Sequence, residues 1–387
     1  MSENEISKSK QKRLNMENAR KEQKRKKAAA TTTAILVPLA IIAVICLLFL
    51  IYQSNKLSYG KYLTEEGLIS GVNPTDYIQF DYKNLVYNEA DLLPDDAVVD
   101  ADIASVCESL ATPSTSSSLT SASENKVLLS YAASIGGVSY NSVHEQDYTI
   151  GSGVVSDEFD ESLIGHKPGD NYQIDIAYPA DYYDTELAGV TVSYDVTLHS
   201  IYVTPEFTDE LVAENFPDIA STAEEYRDYL IQEYYNQNLK TAINNSLTDD
   251  CTVLKYPMEY LNNTEKIYLY QNEQQFNSYN EMFFSSLGYN LYSSVYEMYG
   301  YTSQAEYEAY IRSIAESDVT YFLSIMTVYA GEGMTNTRDE VLNYYYEMGY
   351  DTAAFHELET TYHYNYLAQM ALADKVINYL ADTVTVQ

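Results

Sequence analysis

Residues 151–169 read Gly151-Ser-Gly-Val-Val-Ser-Asp-Glu-Phe-Asp-Glu-Ser-Leu-Ile-Gly-His-Lys-Pro-Gly169. A Gly-x-Gly turn opens the stretch and Lys167-Pro-Gly169 closes it; between them, Asp157 to about Ile164 has the length of a short helix. The flanks have a different period. Val127-Leu-Leu-Ser-Tyr131, Tyr148-Thr-Ile150, Tyr172-Gln-Ile-Asp-Ile176 and Thr191-Val-Ser-Tyr-Asp-Val-Thr-Leu198 are strand-length runs with apolar alternation. Gly136-Gly137 supplies a further turn. From Lys126 to Val203 the sequence therefore predicts a small antiparallel sheet wrapped on one short helix.

Upstream, Tyr77 to Tyr82 and Leu85-Val86-Tyr87 are strand-like. Asp95 or Asp96 can cap a helix whose apolar residues Val99, Ile103, Val106 and Leu110 repeat at three and four. That helix stops at Thr112-Pro113, and the Ser/Thr run from Ser114 to Ser123 is expected to be a flexible loop. Downstream of Thr208 the pattern is helical. Thr222-x-x-Glu225, Ser303-x-x-Glu306 and Thr337-x-x-Glu340 each form a capping box before an apolar-periodic stretch. Gly331 and Gly349 are expected to stop the second and third of these helices. One long, Tyr-rich helix is expected from about Thr352 to Asp382. No repeat of fixed period appears, which argues against a solenoid.

The chain holds 41 Tyr, 10 Phe and no Trp, with about two thirds of the tyrosines after Tyr202. Two readings fit. Tyr combines an apolar face with a polar tip and suits a surface that touches many partners; it also replaces Phe and Leu in a core, and Tyr226, Leu230 and Tyr234 fall at helical core spacing.

Local motifs for covalent or metal chemistry are missing. His356 and His363 stand seven residues apart, two helical turns, and do not make a His-Glu-x-x-His metal site. Gly151-Ser-Gly153 has no phosphate-loop lysine, and Ser156 has no nucleophile elbow around it. The acids Asp157, Glu158, Asp160 and Glu161 lack the spacing and Gly of a calcium hand. No cofactor is expected.

The 151–169 stretch, with Tyr178-Pro-Ala-Asp-Tyr182 and Glu186-Leu-Ala-Gly189, resembles the FKBP-type peptidyl-prolyl isomerase domain of the trigger factor family. The family pattern is a Gly-x-Gly turn, a short helix with Gly-Phe-Glu, a Gly-x-Lys-x-Gly turn, a Phe-Pro-x-x-Tyr segment and a Leu-x-Gly-Lys turn. The likeness extends outward: Thr204-Pro-Glu-Phe-Thr-Asp-Glu-Leu211 looks like the join to the helical arms, Asp374 to Leu380 like the closing helix, and Tyr77 to Leu110 like the strand and helix before the isomerase domain. It covers about Tyr77 to the end, weakly in the arms. The ribosome-docking loop of that family is not visible. What the resemblance implies is an α+β fold: an FKBP-like sheet on a short helix at 126–203, followed by an all-α chaperone region at 204–387.

The implied activity needs no nucleophile. Twisting an X-Pro amide costs about 18–20 kcal/mol in lost resonance, and a dry aromatic pocket favours the twisted, less polar amide. By position, the resemblance places Tyr131, Tyr140, Tyr148, Val155, Phe159, Tyr182, Leu187 and Tyr194 in the pocket. Each is also what the core of a small β-domain would contain. Two departures bear on activity. Ser156, Asp157 and Glu158 replace the family's Ile and Pro-Gly or Arg-Gly, putting polar groups at the rim, and Asn141 stands where an acid is expected, keeping hydrogen bonding without charge.

Ala34 to Tyr52 is nineteen residues without a charge, long enough at about 1.5 Å per residue to cross a hydrocarbon core of about 30 Å. It is too long, and ends too bulky, for a cleaved signal. Residues 1–30 carry ten Lys or Arg against four Glu, which orients residues 1–33 as a cytoplasmic tail. The rest keeps 12 of 22 basic and 53 of 57 acidic residues, a balance of −41 that argues against nucleic acid as a partner. A single-pass membrane protein is expected: helix 34–52, a connecting region 53–125, and a body outside the membrane that acts on unfolded or nascent exported polypeptides. A catalytically silent binder with the same fold is the alternative, and an adhesin leaves the family pattern unexplained.

Overall fold

The structure, a computed structural model, describes residues 58–387. The apolar run 34–52 and the basic tail lie outside the described residues; among those described, no helix is long and apolar enough to cross a membrane. The described chain divides into two compact units, one of residues 58–93 and 233–387, the other of residues 94–232.

In chain order the elements are β1 (Ile78–Phe80), β2 (Val86–Tyr87), α1 (Glu89–Leu92), α2 (Asp96–Ser109), β3 (Thr112–Ser114), β4 (Lys126–Ile135), β5 (Val138–Thr149), α3 (Asp157–Ser162), β6 (Asn171–Ala177) and β7 (Thr191–Val203). There follow α4 (Asp209–Asn215), α5 (Ala223–Asp249), β8 (Cys251–Val253), α6 (Met258–Leu287), α7 (Val295–Met298), α8 (Gln304–Glu332), α9 (Arg338–Glu347), α10 (Thr352–Tyr362), α11 (Tyr364–Thr383) and β9 (Thr385–Val386). The architecture is mixed, a sheet followed by a helical C-terminal region.

In the 94–232 unit, β7 runs through the middle of a five-stranded antiparallel sheet. β4 and then β5 lie on one side of it, and β6 and β3 share the other. Val192, Tyr194, Val196 and Leu198 alternate inward along β7 and are buried, as the period-2 pattern requires. Tyr194 sits between Ala133 on β4 and Ile174 on β6, so a small partner on one side makes room for a large ring. α3 covers this face with Phe159, joined by its C-cap residue Leu163, both fully buried. The expected flexible loop is tied down: Ser114 belongs to β3 and pairs with Ile201, Leu119 packs against the buried core, and Ser121 anchors the run further. Ser121 is buried: its Oγ donates to the Leu163 carbonyl and accepts from the His166 N–H at 2.9 Å, while its carbonyl takes the Gly165 N–H at 2.9 Å.

In the other unit, Tyr307, Ile311, Ala315, Val319 and Leu323 recur every four residues along α8 and form its buried stripe. β1 pairs with β8 and β2 with β9, so the predominantly helical region also holds two short sheets. All three expected caps form, in different ways. Thr337 and Glu340 make a full capping box. At the other two, Ser303 and Thr222 cap the N–H of Glu306 and Glu225, but each Glu reaches one residue further back, to Thr302 and Ser221.

Two helix boundaries differ from expectation. α8 passes through Gly331 and ends at Gly333, which takes the left-handed C-cap conformation at φ +60°. Gly331 is needed for clearance instead: a Cβ there would lie 2.2 Å from Tyr82 Oη. The expected single terminal helix is two, α10 and α11, broken at His363 (φ +71°). The break lets Tyr362 and Tyr366 both pack on Tyr59, with ring centroids 5.4 and 5.2 Å away. Asp318 on α8 lies among the phenols of Tyr260, Tyr268, Tyr321 and Tyr366, and burial raises its carboxyl to about 7. Cys107 and Cys251 are free thiols.

Candidate functional site

The inward face of the sheet and the buried side of α3 meet at a cluster of rings. Phe159 is its centre. Its ring centroid stands 5.4 Å from Tyr131, 5.7 Å from Tyr148 and 5.2 Å from Tyr194, edge-on or tilted, and Tyr131 lies 5.6 Å from Tyr194. Leu187 is buried nearby, in the turn that Gly189 closes at φ +74°, and Val155 is half-buried against the same cluster. Tyr182 is half-buried at the edge, its ring 4.7 Å from Tyr178 and 4.5 Å from the exposed Tyr183. Three strands, two turns and one helix thus bring Tyr131, Tyr148, Val155, Phe159, Tyr182, Leu187 and Tyr194 together.

Tyr140 and Asn141 stand apart from that cluster. Tyr140 is 40 % exposed on β5, and its hydroxyl is raised by desolvation and then by the charges of Asp184 and Glu186. Asn141 is exposed, and its Oδ1 takes the adjacent Ser142 N–H at 2.8 Å. The expected polar rim at Ser156 is also different. Ser156 is buried, and its hydroxyl is the N-cap of α3, accepting the Phe159 N–H at 3.1 Å. Its polarity is spent on holding Phe159, while Asp157 and Glu158 are exposed in the first turn, where the helix dipole favours acids.

Residues outside the predicted set shape the site as much as those within it. Asp160 is buried and uses both oxygens, taking the Tyr148 hydroxyl at 2.5 Å and the Gly153 N–H at 2.7 Å. It therefore locks a pocket ring to the Gly-x-Gly turn. Tyr178 is buried and its hydroxyl stands 2.9 Å from that of Tyr194. The phenols of this cluster are raised: Tyr148 first by burial and then by Asp160, Tyr194 first by burial and then by Tyr178, and Tyr182 to about 12, by burial and then Tyr183. They remain protonated at neutral pH, so these rings are uncharged and their hydroxyls are donors. The signal for Asp160 was an acid one residue after the central Phe; for Tyr178 it was a Tyr where the family pattern carries Phe.

The matches to known proteins are to trigger factors. The trigger factor of Actinobacillus succinogenes is 29% identical over 129 residues, 32% of this chain and 28% of the relative. That of Pasteurella multocida matches over the same length at 29%, and that of Limosilactobacillus fermentum at 27% over 148 residues, 37% of this chain and 34% of the relative. The chain is trigger factor-like. The match spans about a third of those relatives' own length. No family model matches. A solved structure described as "Promiscuous Substrate Recognition in Folding and Assembly Activities of the Trigger Factor Chaperone" is similar at 17% identity and a TM-score of 0.41, covering 79% of this chain and 72% of that one.

Proposed function

We propose that this trigger factor-like chain is a membrane-anchored extracytoplasmic folding factor, a peptidyl-prolyl cis-trans isomerase of the FKBP type with chaperone activity on exported polypeptides. The observation that carries the reading is the convergence of Tyr131, Tyr148, Phe159 and Tyr194 on one face of the sheet, with Phe159 fully buried at their centre. Residues 126–203 are the isomerase domain in this reading and 204–387 the arms that hold unfolded clients. The anchor is the run 34–52, with the basic tail in the cytoplasm, and the acidic body of balance −41 faces outward.

The pocket contributes in three ways. It removes the prolyl ring from water, its apolar walls favour the twisted amide over the more polar planar one, and its fixed rings hold the peptide in one orientation. Uncatalysed exchange takes tens of seconds or more, so even a modest lowering of the barrier is measurable. A second reading, a binder without turnover, is favoured by Asn141, an uncharged residue where the resembled family carries an acid, with its Oδ1 taken by the neighbouring Ser142 N–H. Isomer-exchange kinetics on a proline-containing tetrapeptide, run beside suppression of client aggregation, decides between them. Acceleration by the full-length chain supports the enzyme; aggregation suppression without acceleration supports the binder; neither activity rejects both.

A further inference from the structure

We propose that the hydroxyl pair of Tyr178 and Tyr194 is a peptide-binding device that gives the aromatic pocket one donor for a backbone carbonyl next to the proline. This deepens, and rests on, the reading of the cluster as a prolyl pocket. The two phenols are 5 % and 4 % exposed, with their oxygens 2.9 Å apart. One bond between two hydroxyls uses one proton. Among the described residues the pair has no further hydrogen-bond partner, so the second proton is left over in a buried setting, where an unmet donor is costly. A ligand that brings an acceptor recovers that cost.

The surroundings show where such a ligand would lie. Tyr194 is flanked by Tyr131 and Phe159, and the Tyr178 ring is 4.7 Å from Tyr182. The pair stands between the rings of Tyr131 and Phe159 on one side and the half-buried Tyr182 on the other. Its acceptor is a carbonyl flanking the X–Pro bond and not the rotating one, because a hydrogen bond to the rotating oxygen would stabilise the planar resonance form and slow the twist. A bond to a flanking carbonyl is present equally before and during the twist, so it enters KM and leaves kcat alone. The Tyr178 hydroxyl is absent from the Phe-Pro pattern of the resembled family, which makes this donor a feature of the present chain.

Tyr178→Phe, Tyr194→Phe and the double variant, made in the full-length chain and assayed with a proline-containing tetrapeptide, test the proposal. Either single variant leaves one hydroxyl with its proton free for the peptide, so KM stays within about twofold; the double variant raises KM about tenfold at unchanged kcat. A purely structural pair gives the opposite order, since the first Phe already breaks the bond and the second costs nothing more. A KM unchanged in the double variant, a loss complete in either single one, or a fall in kcat overturns the proposal. Where the wild type binds without turnover, the same order is read in Kd. A second measurement needs no variant: weakening the flanking carbonyl by sulfur substitution raises the wild-type KM or Kd about tenfold, and no rise counts against the pair. A wild type that neither binds nor turns over the tetrapeptide rejects the pocket itself, whereas an active wild type with an unaffected double variant rejects only the hydroxyl pair.

Discussion

Asp318→Asn removes a titrating carboxyl from the helical unit while keeping its shape. Asp318 sits on α8 among Tyr260, Tyr268, Tyr321 and Tyr366; burial raises its carboxyl from 3.8 to about 7, and the Tyr268 hydroxyl only partly opposes this. A difference of that size corresponds to about 4 kcal/mol. Asp318 keeps part of its surface open to solvent, so screening reduces the expected effect to roughly 2 kcal/mol. The direction follows from the raised value: the neutral carboxyl is favoured in the folded state, so its contribution is complete below about pH 4 and is lost as pH rises to about 7. Urea unfolding of wild type and variant, followed by helical circular dichroism at pH 4.5 and pH 8, measures this. The two proteins should be nearly equally stable at pH 4.5, and the variant more stable by roughly 2 kcal/mol at pH 8. Equal stability at both values, or a more stable wild type at pH 8, would refute the argument that Asp318 is held neutral by its surroundings.

Glu332 behaves oppositely. The hydroxyls of Tyr82 and Tyr379 and the Lys83 ammonium hold its carboxyl down at about 2, so the clasp contributes above about pH 4.5 and is lost as pH falls toward 2; Glu332→Gln should flatten that acid limb of a stability profile. Gly331→Ala should destabilise by about 1–3 kcal/mol in thermal or urea unfolding, although Ala in an open helix would gain about 1 kcal/mol, because the new Cβ meets Tyr82 Oη. Ser121→Ala should cost about 1–3 kcal/mol and speed hydrogen exchange at the Gly165 and His166 amides, which it or its carbonyl now holds.

The sheet was legible because its strands are simple in period: Thr191 to Leu198 alternates strictly, and the 151–169 stretch carries turn residues at both ends of a helix too short to be anything else. The family resemblance placed Tyr131, Tyr148, Phe159 and Tyr194 together, and the alternation of the strands accounts for the three tyrosines sharing one face while Phe159 comes from the helix. Elements that depend on distant partners were not legible. Gly331 looks like a helix stop, but it is there because Tyr82, far away in sequence, passes over it. His363 breaks a helix with a positive φ that no neighbouring residue signals, to serve packing on Tyr59. Ser121 is one of many serines in its run, and only its burial distinguishes it. Ser156 had a readable signal, a cap followed by two acids, which the comparison with an apolar family residue obscured.

The account rests on Phe159 being the floor of a prolyl pocket. With ten phenylalanines in the chain, ring-labelled Phe in the full-length protein gives a countable set of signals, and Phe159→Leu assigns the one that matters. Titration with a proline-containing tetrapeptide should move the Phe159 signal saturably, with the same midpoint as peptide binding. A Phe159 signal that stays still while the peptide binds would place the proline elsewhere and contradict the account.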